Sequence, residues 1–350
     1  MSNTSIKNRR ICLIGGAGFI GHHLALKLKE LGADVSVVDG LQVNNILAFS
    51  STDKNIPNRS LYLHILSERQ ELLRKAGIPV MVQDARDYAA LSHLFNRLQP
   101  QVVIQLAAVA HANMSNKDPY STFDHSFRTL ENALDCSRDR VEHFVYFSSS
   151  MVYGNFQEGK VDEETSCNPI GVYGALKYGG EKLVIAYNQT FDLPYTIVRP
   201  SALYGERCVS RRVGQIFIEN ALKGAEITIA GDGTDQLDFT YVQDVVDGIV
   251  KVIGRKEACN QTFNLTYGEA RSLAQMADIV REHFPQVTIK YVPKDKLMPD
   301  RGTLVVDKAH QLIGYEPSWP LERGFREYIG WYKSLPPELT SHDNLAVTYG

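Results

Sequence analysis

Residues 10–39 read RICLIGGAGFIGHHLALKLKELGADVSVVD, and this stretch decides the fold. The apolar run Arg10–Ile14 predicts a strand, residues 19–31 have the apolar spacing of a helix, and Asp34–Asp39 predicts a second strand. A strand, a glycine-rich turn, a helix and a second strand form the unit from which doubly wound parallel sheets are built.

Three glycines occupy the turn after the first strand, at Gly15, Gly18 and Gly21. Gly15 permits the tight turn, Gly18 lets the backbone approach a diphosphate, and Gly21 lets the helix pack closely on the strand. A diphosphate there would lie at the positive N-terminus of the helix, beside Phe19 and Ile20. The spacing therefore predicts a dinucleotide site.

Asp39 ends the second strand, 18 residues after Gly21. A carboxylate at this position accepts hydrogen bonds from the hydroxyl groups of the adenosine ribose. The next residues, Gly40, Leu41 and Gln42, carry no cation for a 2′-phosphate, so NAD is favoured over NADP. The alternative is a purely structural turn followed by an incidental aspartate.

The alternation of strand and helix continues through the first half of the chain. Further strands are expected at 80–83, 101–106, 143–148 and Tyr195–Arg199, with helices at Tyr88–Leu98 and 121–138. This rhythm predicts an α/β fold with a Rossmann-type, doubly wound parallel sheet. Residues 44–79 form a longer connection with an expected helix at 63–75, and the sequence leaves open whether it is a lid, an oligomer contact or an inert insertion.

Beyond residue 200, helices mix with brief strands. Helices are expected at Val213–Leu222, 244–253 and 270–284, and strands at 227–229, 262–265 and 288–291. The mixture predicts a smaller mixed α/β lobe that folds against the sheet, because no Pro/Gly/Ser-rich linker separates the two. The expected organisation is a dinucleotide-binding domain with the catalytic residues at 1–200, a substrate lobe at 201–335 and a flexible tail at 336–350.

Two later strands also end in acidic or small residues. Asp84 and Ala85 follow one of them, and Leu106, Ala107 and Ala108 close the next. Ligands of parallel sheets lie at the carboxyl ends of the strands, so all five are expected to contact the dinucleotide. Asp84 would meet the adenine amine, and the two alanines would leave room for the cofactor. A simple turn is an equally good interpretation of Asp84.

A catalytic set is expected around Tyr173 and Lys177, which lie four residues apart and so share one face of a helix. A lysine beside a tyrosine lowers the pKa of the phenol from about 10 and favours a phenolate base. Ser149 and Ser150 close the preceding strand, where a hydroxyl group can bind the same substrate oxygen and orient its proton. A surface Tyr/Lys pair is the alternative, and a lone histidine such as His111 is more often structural than catalytic.

The composition excludes several classes of protein. The 350 residues are 44% hydrophobic and 22% charged, and 37 Lys+Arg against 40 Asp+Glu leave no basic excess for nucleic acid. No apolar run reaches the ~18 to 20 residues of a membrane helix. Five separated cysteines have no zinc-site spacing and suit a reducing compartment. We expect a cytoplasmic protein without a metal site, a nucleic-acid partner or a membrane association.

Taken together, the motifs resemble the extended short-chain dehydrogenase/reductase family, in its nucleotide-sugar epimerase/dehydratase branch. The resemblance covers residues 10–335 and is carried by the glycine turn, Val37-Val38-Asp39, Gln83-Asp84-Ala85-Arg86-Asp87, Leu106-Ala107-Ala108, Ser148-Ser149-Ser150-Met151-Val152-Tyr153-Gly154, Tyr173-x-x-x-Lys177, Val198-Arg199-Pro200, Tyr204-Gly205, Gly231-Asp232-Gly233 and Asp238-Phe239-Thr240-Tyr241-Val242. It implies the Rossmann-type fold, a nucleotide-sugar substrate, a homodimer, and NAD that is also contacted by Tyr173, Lys177 and Pro200.

The residues after the strand at 143–148 separate the reactions of this branch. Ser149 takes the family's catalytic Ser/Thr position, and Ser150 and Met151 stand where 4,6-dehydratases have Asp-Glu for elimination. The resemblance therefore implies a UDP-hexose C4 epimerase. In it Tyr173 takes the proton of O4, NAD takes and returns the C4 hydride, Lys177 holds the nicotinamide ribose and Ser149 orients O4. A dehydratase, a 3,5-epimerase, a 4-dehydrogenase/reductase and a non-catalytic NAD-binding regulator remain as alternatives.

The sequence departs from the family where the phosphates of the substrate are bound. Leu237 stands in place of a phosphate-contacting arginine, and an apolar side chain cannot replace a guanidinium. The candidates to compensate, and so to bind substrate, are Arg207, Arg211, Arg212 and Arg301, of which Arg301 falls near a second phosphate-contacting arginine of the family. For Arg211 and Arg212 a solvated surface position is the alternative, and the sugar and the nucleotide are left open.

Overall fold

The computed structural model of the chain describes residues 5–50, 56–109, 112–294 and 298–340. Its strands are β1 Arg10–Ile14, β2 Asp34–Asp39, β3 Val80–Val82, β4 Val102–Gln105, β5 His143–Phe147, β6 Lys160–Val161, β7 Tyr195–Arg199, β8 Leu203–Tyr204, β9 Ile227–Ala230, β10 Gln236–Leu237, β11 Thr240–Tyr241, β12 Gln261–Asn264, β13 Arg271–Ser272, β14 Ile289–Val292 and β15 Thr303–Leu304. Its α-helices are α1 Phe19–Glu30, α2 Ile46–Phe49, α3 Arg59–Lys75, α4 Tyr88–Leu98, α5 Ala112–Lys117, α6 Pro119–Phe123, α7 Thr129–Ser137, α8 Gly171–Phe191, α9 Val213–Leu222, α10 Val242–Gly254, α11 Leu273–His283, α12 Asp307–Ile313, α13 Leu321–Ser334 and α14 Pro337–Thr340.

Seven strands form the central sheet, in the order β3-β2-β1-β4-β5-β7-β12, and every neighbouring pair is parallel. The chain starts at β1 in the middle, winds outward through β2 and β3, and then returns to wind the other way from β4. The direction reverses between β1 and β4, and ligands of such sheets bind beyond the carboxyl ends of the strands at this point. The Rossmann-type fold class predicted from the sequence is confirmed.

The inner strands β1, β4, β5 and β7 of this sheet are buried on both faces, which explains their continuous apolar runs. Alternate residues of β1 enter different cores: Ile11 and Leu13 pack with α1 and α10, whereas Cys12 and Ile14 pack on the face covered by α4, α7 and α8. The two helical layers hold the carboxyl ends of β1, β4 and β5 at one edge of the sheet, where the glycine turn and the serine run follow.

A further core lies in the C-terminal lobe, among α9, α11 and α13. The long connection between β2 and β3 takes part in it, because Leu61, Ile65 and Leu66 of α3 are buried in the same core. Helix α3 also contacts α1. The connection that the sequence left without a role therefore lies between the sheet and the lobe.

Several elements differ from the sequence prediction. Strand β12 and helix α10 come from beyond residue 200 but complete the central sheet and its helical layer, so the sheet does not end at that residue. The helix expected at 121–138 is divided into α6, a π-helical turn at Asp124–Arg128 and α7.

Helix α14 lies in the expected flexible tail, whose residues 341–350 are outside the described part. No helix of the described ranges is both long and apolar enough to cross a bilayer.

Candidate active site

A cavity of about 1070 Å³ opens at the carboxyl edge of the sheet and extends to the lobe. It is lined by most of the residues singled out in the sequence: Gly15, Gly18, Phe19, Ile20, Gly21, Asp39, Gly40, Asp84, Ala85, Leu106, Ala107, Ala108, Ser149, Ser150, Tyr173, Lys177, Pro200, Arg211 and Arg301. The exception is Arg207. Its Nε lies 3.0 Å from Nε2 of His22 and its Nη1 lies 3.3 Å from Glu68, away from the lining, contrary to the expectation that it contacts substrate.

The glycine turn forms one end of the cavity. Gly15 has a φ of +80°, a backbone conformation that residues with a side chain rarely adopt. A Cβ there would also lie 2.6 Å from the backbone nitrogen of Ala107, so the conformation and the packing both require glycine. Helix α1 begins at Phe19 after Gly18, which provides no side-chain cap, and its first turn contains no acidic residue. The free N–H groups and the positive helix end form a cradle that fits the diphosphate of a dinucleotide.

Asp39 is held at the end of β2 by two backbone amides. Its Oδ2 accepts a hydrogen bond from the N–H of Ala17 at 3.0 Å, and its Oδ1 accepts one from Leu41 at 2.8 Å. Burial raises the pKa of this carboxyl group. The fixed carboxylate lies beside the glycine turn, where its remaining lone pairs fit the hydroxyl groups of a ribose.

Asp84 lies in the same wall, but its carboxylate is already paired. Nη2 of Arg86 lies 2.6 Å from its Oδ2, and Nε2 of Gln42 donates to it at 3.2 Å. The hydrogen bonds from Arg86 lower the pKa of Asp84 to about 2. Arg86 also binds Asp124 at 2.7 Å. An adenine amine at this position would share Asp84 with the guanidinium.

Ser149 and Tyr173 both line the cavity, and the Ser149 hydroxyl lies close enough to the phenol to lower its pKa. The N–H of Met151 donates to Oγ of Ser149 at 3.2 Å and fixes its rotamer. Helix α8 carries Tyr173 and can approach because Gly174 has no side chain: a Cβ there would lie 2.8 Å from the carbonyl oxygen of Met151. The structure thus brings together the hydroxyl and the phenol that the sequence paired.

Lys177 lies one turn along α8 from Tyr173. Its Nζ donates to the carbonyl oxygen of Phe147 at 2.6 Å. Burial lowers the pKa of Lys177 to about 8, and the carboxylate of Glu181 opposes this shift. Glu181 forms a buried ion pair with Arg199 at 2.7 Å, so its carboxylate is shared between this arginine and Lys177.

The pKa of Tyr173 differs from the sequence expectation. Burial raises it, and the effects that oppose burial are the charges of Arg212 and Arg301 and the nearby hydroxyl of Ser149. The expected effect of Lys177 on the phenol is not among them. The cations that lower the pKa of Tyr173 therefore come from the C-terminal lobe.

The two positions after Ser149 carry no carboxylate. Oγ of Ser150 donates to Oγ of Ser201 at 3.2 Å, and its N–H donates to the carbonyl oxygen of Pro200 at 2.9 Å. Met151 adds a thioether to the cavity wall. Neither side chain is able to act as the acid or the base of an elimination.

Three arginines of the lobe line the cavity, as Leu237 does, namely Arg211, Arg212 and Arg301. Burial and the charge of Arg212 together lower the pKa of Arg301 to about 10. Arg211 is exposed, and its N–H donates to Oε1 of Gln215 at 2.9 Å. Arg212 and Arg301 act on Tyr173, so they are the arginines placed near this phenol.

Sequence analysis missed the part of the wall that comes from the connection between β2 and β3. Asn44, Phe49, Ile56 and Arg69 line the cavity there. A signal for Arg69 was available, because residues 61, 65, 69 and 73 follow the i, i+4 spacing of one helix face and only position 69 is charged. His111 lies outside the described residues.

The sequence and the fold match known proteins. The model of the NAD dependent epimerase/dehydratase family matches residues 11–266. An uncharacterized UDP-glucose epimerase of Bacillus subtilis, YtcB, is 30% identical over 332 residues, which cover 93% of this chain and 98% of the relative. The UDP-glucose 4-epimerase of Thermotoga maritima, solved with UDP-glucose, has a TM-score of 0.76 at 27% identity over 92% of this chain and 98% of that one. The UDP-glucose 4-epimerase of Thermus thermophilus, solved with NAD, has a TM-score of 0.79 at 25% identity over 93% and 99%.

Proposed function

Because the chain belongs to the NAD-dependent epimerase/dehydratase family, we propose that it is an enzyme that inverts carbon 4 of the sugar of a UDP-hexose or a related nucleotide sugar. The observation that carries this proposal is that Ser149 and Tyr173 lie beside each other in the cavity wall, and that Ser149 is followed by Ser150 and Met151 instead of two carboxylic acids. Such a site can move one proton on one alcohol and has no group for elimination.

The site residues fit the cofactor of this family, which is NAD. The cradle at Gly15 has no room for a side chain, and Asp39 is fixed beside it. We assign the diphosphate to the first turn of α1 and the adenosine ribose to Asp39. When bound, NAD supplies the acceptor for the hydride of carbon 4 and, once reduced, the donor that returns it to the opposite face.

The protein's own residues handle the proton of the substrate alcohol. Tyr173 accepts the O4 proton as phenolate and returns it when the keto group is reduced, and Ser149 holds O4 during both steps. Arg212 and Arg301 favour the phenolate, as their effect on the pKa of Tyr173 indicates. Lys177, held by the carbonyl of Phe147, is placed to bind the nicotinamide ribose and to add its charge when that ribose is present.

We assign the anionic part of the substrate to Arg212 and Arg301. Both residues line the same cavity as Leu237, the position at which the family's arginine is missing. Guanidinium groups bind phosphate oxygens through charge-assisted hydrogen bonds. Arg211 is exposed, and its backbone N–H donates to Gln215 of α9. It is therefore a weaker candidate for binding the phosphates.

The test is incubation of the purified protein with UDP-, GDP-, CDP- and dTDP-sugars, followed by proton NMR of the C4 signal. A 4-epimer should form from one or more of the UDP-sugars. In D₂O no deuterium should enter a carbon-bound position, because the hydride is internally returned. Deuterium at C5, or loss of water, would instead establish a dehydratase or a 3,5-epimerase. If none of the nucleotide sugars is converted although the protein binds NAD tightly, a non-catalytic regulator is favoured.

We further propose a cytoplasmic homodimer. The resemblance to the family supports the dimer, and the cysteines of the described part are all unpaired, as in a reducing compartment. Light scattering of the purified protein measures the mass in solution, and a mass of one chain contradicts the dimer. Cell fractionation measures the location.

A further inference from the structure

Arg69 of α3 lines the cavity but has no role in the chemistry proposed above. Its side chain is buried, with 1% of the residue surface exposed. Nε donates to the carbonyl oxygen of Arg207 at 2.9 Å, and Nη2 donates to the same oxygen. Nη1 has no hydrogen-bond partner among the described residues. A buried guanidinium N–H without an acceptor is unfavourable, so this group is suited to a ligand.

The histidines and the arginine beside Arg69 provide no negative charge, and the carboxylate that acts on it among the described residues is that of Asp39. Burial lowers the pKa of His22 well below its usual range and that of His23 to about 3, so both are neutral at pH 7. Arg207, the other cation of this group, is paired with Glu68 at 3.3 Å. Burial lowers the pKa of Arg69 to about 10, and it therefore stays charged at neutral pH.

Arg69 lies at the end of the cavity formed by the glycine turn. Asp39 is among the charges that act on it, and Arg69 in turn lowers the pKa of His22, which follows Gly18 by one helical turn on α1. The oxygens of Asp39 are engaged by the N–H groups of Ala17 and Leu41. A buried cation and the uncapped start of α1 therefore converge on the same end of the cavity.

We propose that Arg69 binds the diphosphate of the dinucleotide through Nη1, and that the connection between β2 and β3 is thereby part of the cofactor site. The glycine turn offers only neutral N–H groups to a doubly charged diphosphate, and Arg69 adds a full charge from within the protein. A diphosphate of the substrate is the other possible source of such a contact. We place the diphosphate of the substrate at the opposite side of the cavity. Its proposed ligands are Arg212 and Arg301, and these are the arginines that act on Tyr173.

The test compares the binding of phosphate-containing and phosphate-free ligands by calorimetry. Arg69→Gln should weaken the binding of ADP and of ADP-ribose by about 10- to 100-fold, because a charge-assisted hydrogen bond is lost. The affinities for adenosine and for UDP should stay unchanged. Arg74→Gln is the matched control, because it removes the same charge from an exposed position of the same helix and should change none of the four affinities.

Two further measurements separate binding from a structural role. If Arg69 only holds the carbonyl of Arg207, Arg69→Gln weakens the binding of adenosine and of ADP equally, and this result overturns the proposal. A loss of affinity for UDP alone also overturns it. Arg69→Lys keeps the charge and should lose less ADP affinity than Arg69→Gln. In a crystal structure of the wild-type protein with ADP, a phosphate oxygen should lie about 3 Å from Nη1, whereas a separation above about 5 Å overturns the proposal even if the variants fail to fold. None of these measurements needs turnover, so their failure is distinguishable from failure of the proposed epimerisation.

Discussion

At the scale of single residues, the sequence predicted which side chains lie together in the cavity but not the charges around them. Tyr173 and Ser149 lie beside each other in the cavity wall, as their motifs predicted. The cations that act on the phenol are Arg212 and Arg301, which are 39 and 128 residues further along the chain. Burial opposes ionisation of Tyr173, and the charges of these two arginines act against that effect.

Tyr173→Phe tests the role of the phenol. Epimerase kcat should fall by about 10²- to 10⁴-fold, since the variant lacks the group that takes the O4 proton. NAD affinity, measured by calorimetry, should be nearly unchanged. Tyr187→Phe on the same helix, outside the cavity lining, is the control and should keep full activity. A Tyr173→Phe variant with wild-type kcat would remove the phenol from the mechanism.

Asp238 is a buried acid at the junction of three segments. Its carboxylate accepts hydrogen bonds from Oγ1 of Thr266 at 2.9 Å and from the N–H groups of Gly268 at 3.2 Å and Leu304 at 3.1 Å. Burial nevertheless raises its pKa from 3.8 to about 6. The folded state therefore binds more protons than the unfolded state between these two values, and the protein loses stability as the pH rises through this window.

Asp238→Asn should remove this pH dependence. Between about pH 4 and pH 6.5 the wild type should lose up to about 3 kcal/mol of unfolding free energy relative to the variant, because one pKa unit corresponds to about 1.4 kcal/mol. Urea denaturation at several pH values measures the difference. Asp278→Asn, at an exposed site, should follow the wild-type curve. A constant difference between wild type and Asp238→Asn would contradict the assignment.

At the scale of elements, the approach of α8 to the end of β5 decides whether the catalytic pair can form. The strand places Ser149, the helix places Tyr173, and Gly174 lies where the helix touches the 3₁₀ turn at Ser150–Val152. A Cβ at Gly174 would lie 2.8 Å from the carbonyl oxygen of Met151 and 3.1 Å from Cβ of Pro169, and neither neighbour is a flexible side-chain end.

Gly174→Ala should move the helix away from the strand end. We expect a loss of about 1–3 kcal/mol of stability from overpacking and a fall in kcat that exceeds any change in NAD affinity. Gly330→Ala is a matched control with the opposite sign: it lies in α13, a Cβ there meets nothing within 4 Å, and it should stabilise the protein by about 0.5–1 kcal/mol. Thermal unfolding and steady-state kinetics measure both variants. Equal stability changes for the two would show that the contact at Met151 is unimportant.

At the scale of the whole molecule, one buried carboxylate joins the connection between β2 and β3 to the lobe. Glu219 of α9 accepts hydrogen bonds from Nδ2 of Asn58 at 2.5 Å, from the hydroxyl groups of Tyr62 and Tyr332 at 2.8 Å each, and from Nε2 of Gln215 at 2.8 Å. These donors come from the start of α3, from α9 and from α13. The network therefore holds α3, and with it Arg69, against the lobe.

Glu219→Gln should break this connection, because the new amide group places N–H donors against donors. We expect a loss of about 3 kcal/mol in unfolding free energy and faster hydrogen exchange in α3. Glu226→Gln, a partly exposed glutamate of the same lobe, should change stability by less than about 0.5 kcal/mol. Denaturation and hydrogen exchange measure both effects. Unchanged exchange in α3 would show that the network does not support this helix.

The sequence predicted well those features that depend on neighbours along the chain. Strands such as Asp34–Asp39 and Tyr195–Arg199 and the helix Tyr88–Leu98 have the predicted bounds, because apolar periodicity is local. It failed where packing competes with periodicity. Asp118 caps α6 and the π turn at Asp124–Arg128 interrupts the helix that continuous spacing had suggested.

By itself the sequence determined the sheet type and the positions of the glycine turn and of Ser149, Tyr173 and Lys177 at the carboxyl edge of the sheet, because each is a short motif with a required backbone geometry. Tertiary structure decided that β12 forms one edge strand of the sheet, that Arg69 lines the cavity and that Arg207 does not. These outcomes depend on which surfaces bury one another across long separations in the chain, and no local pattern carries that information.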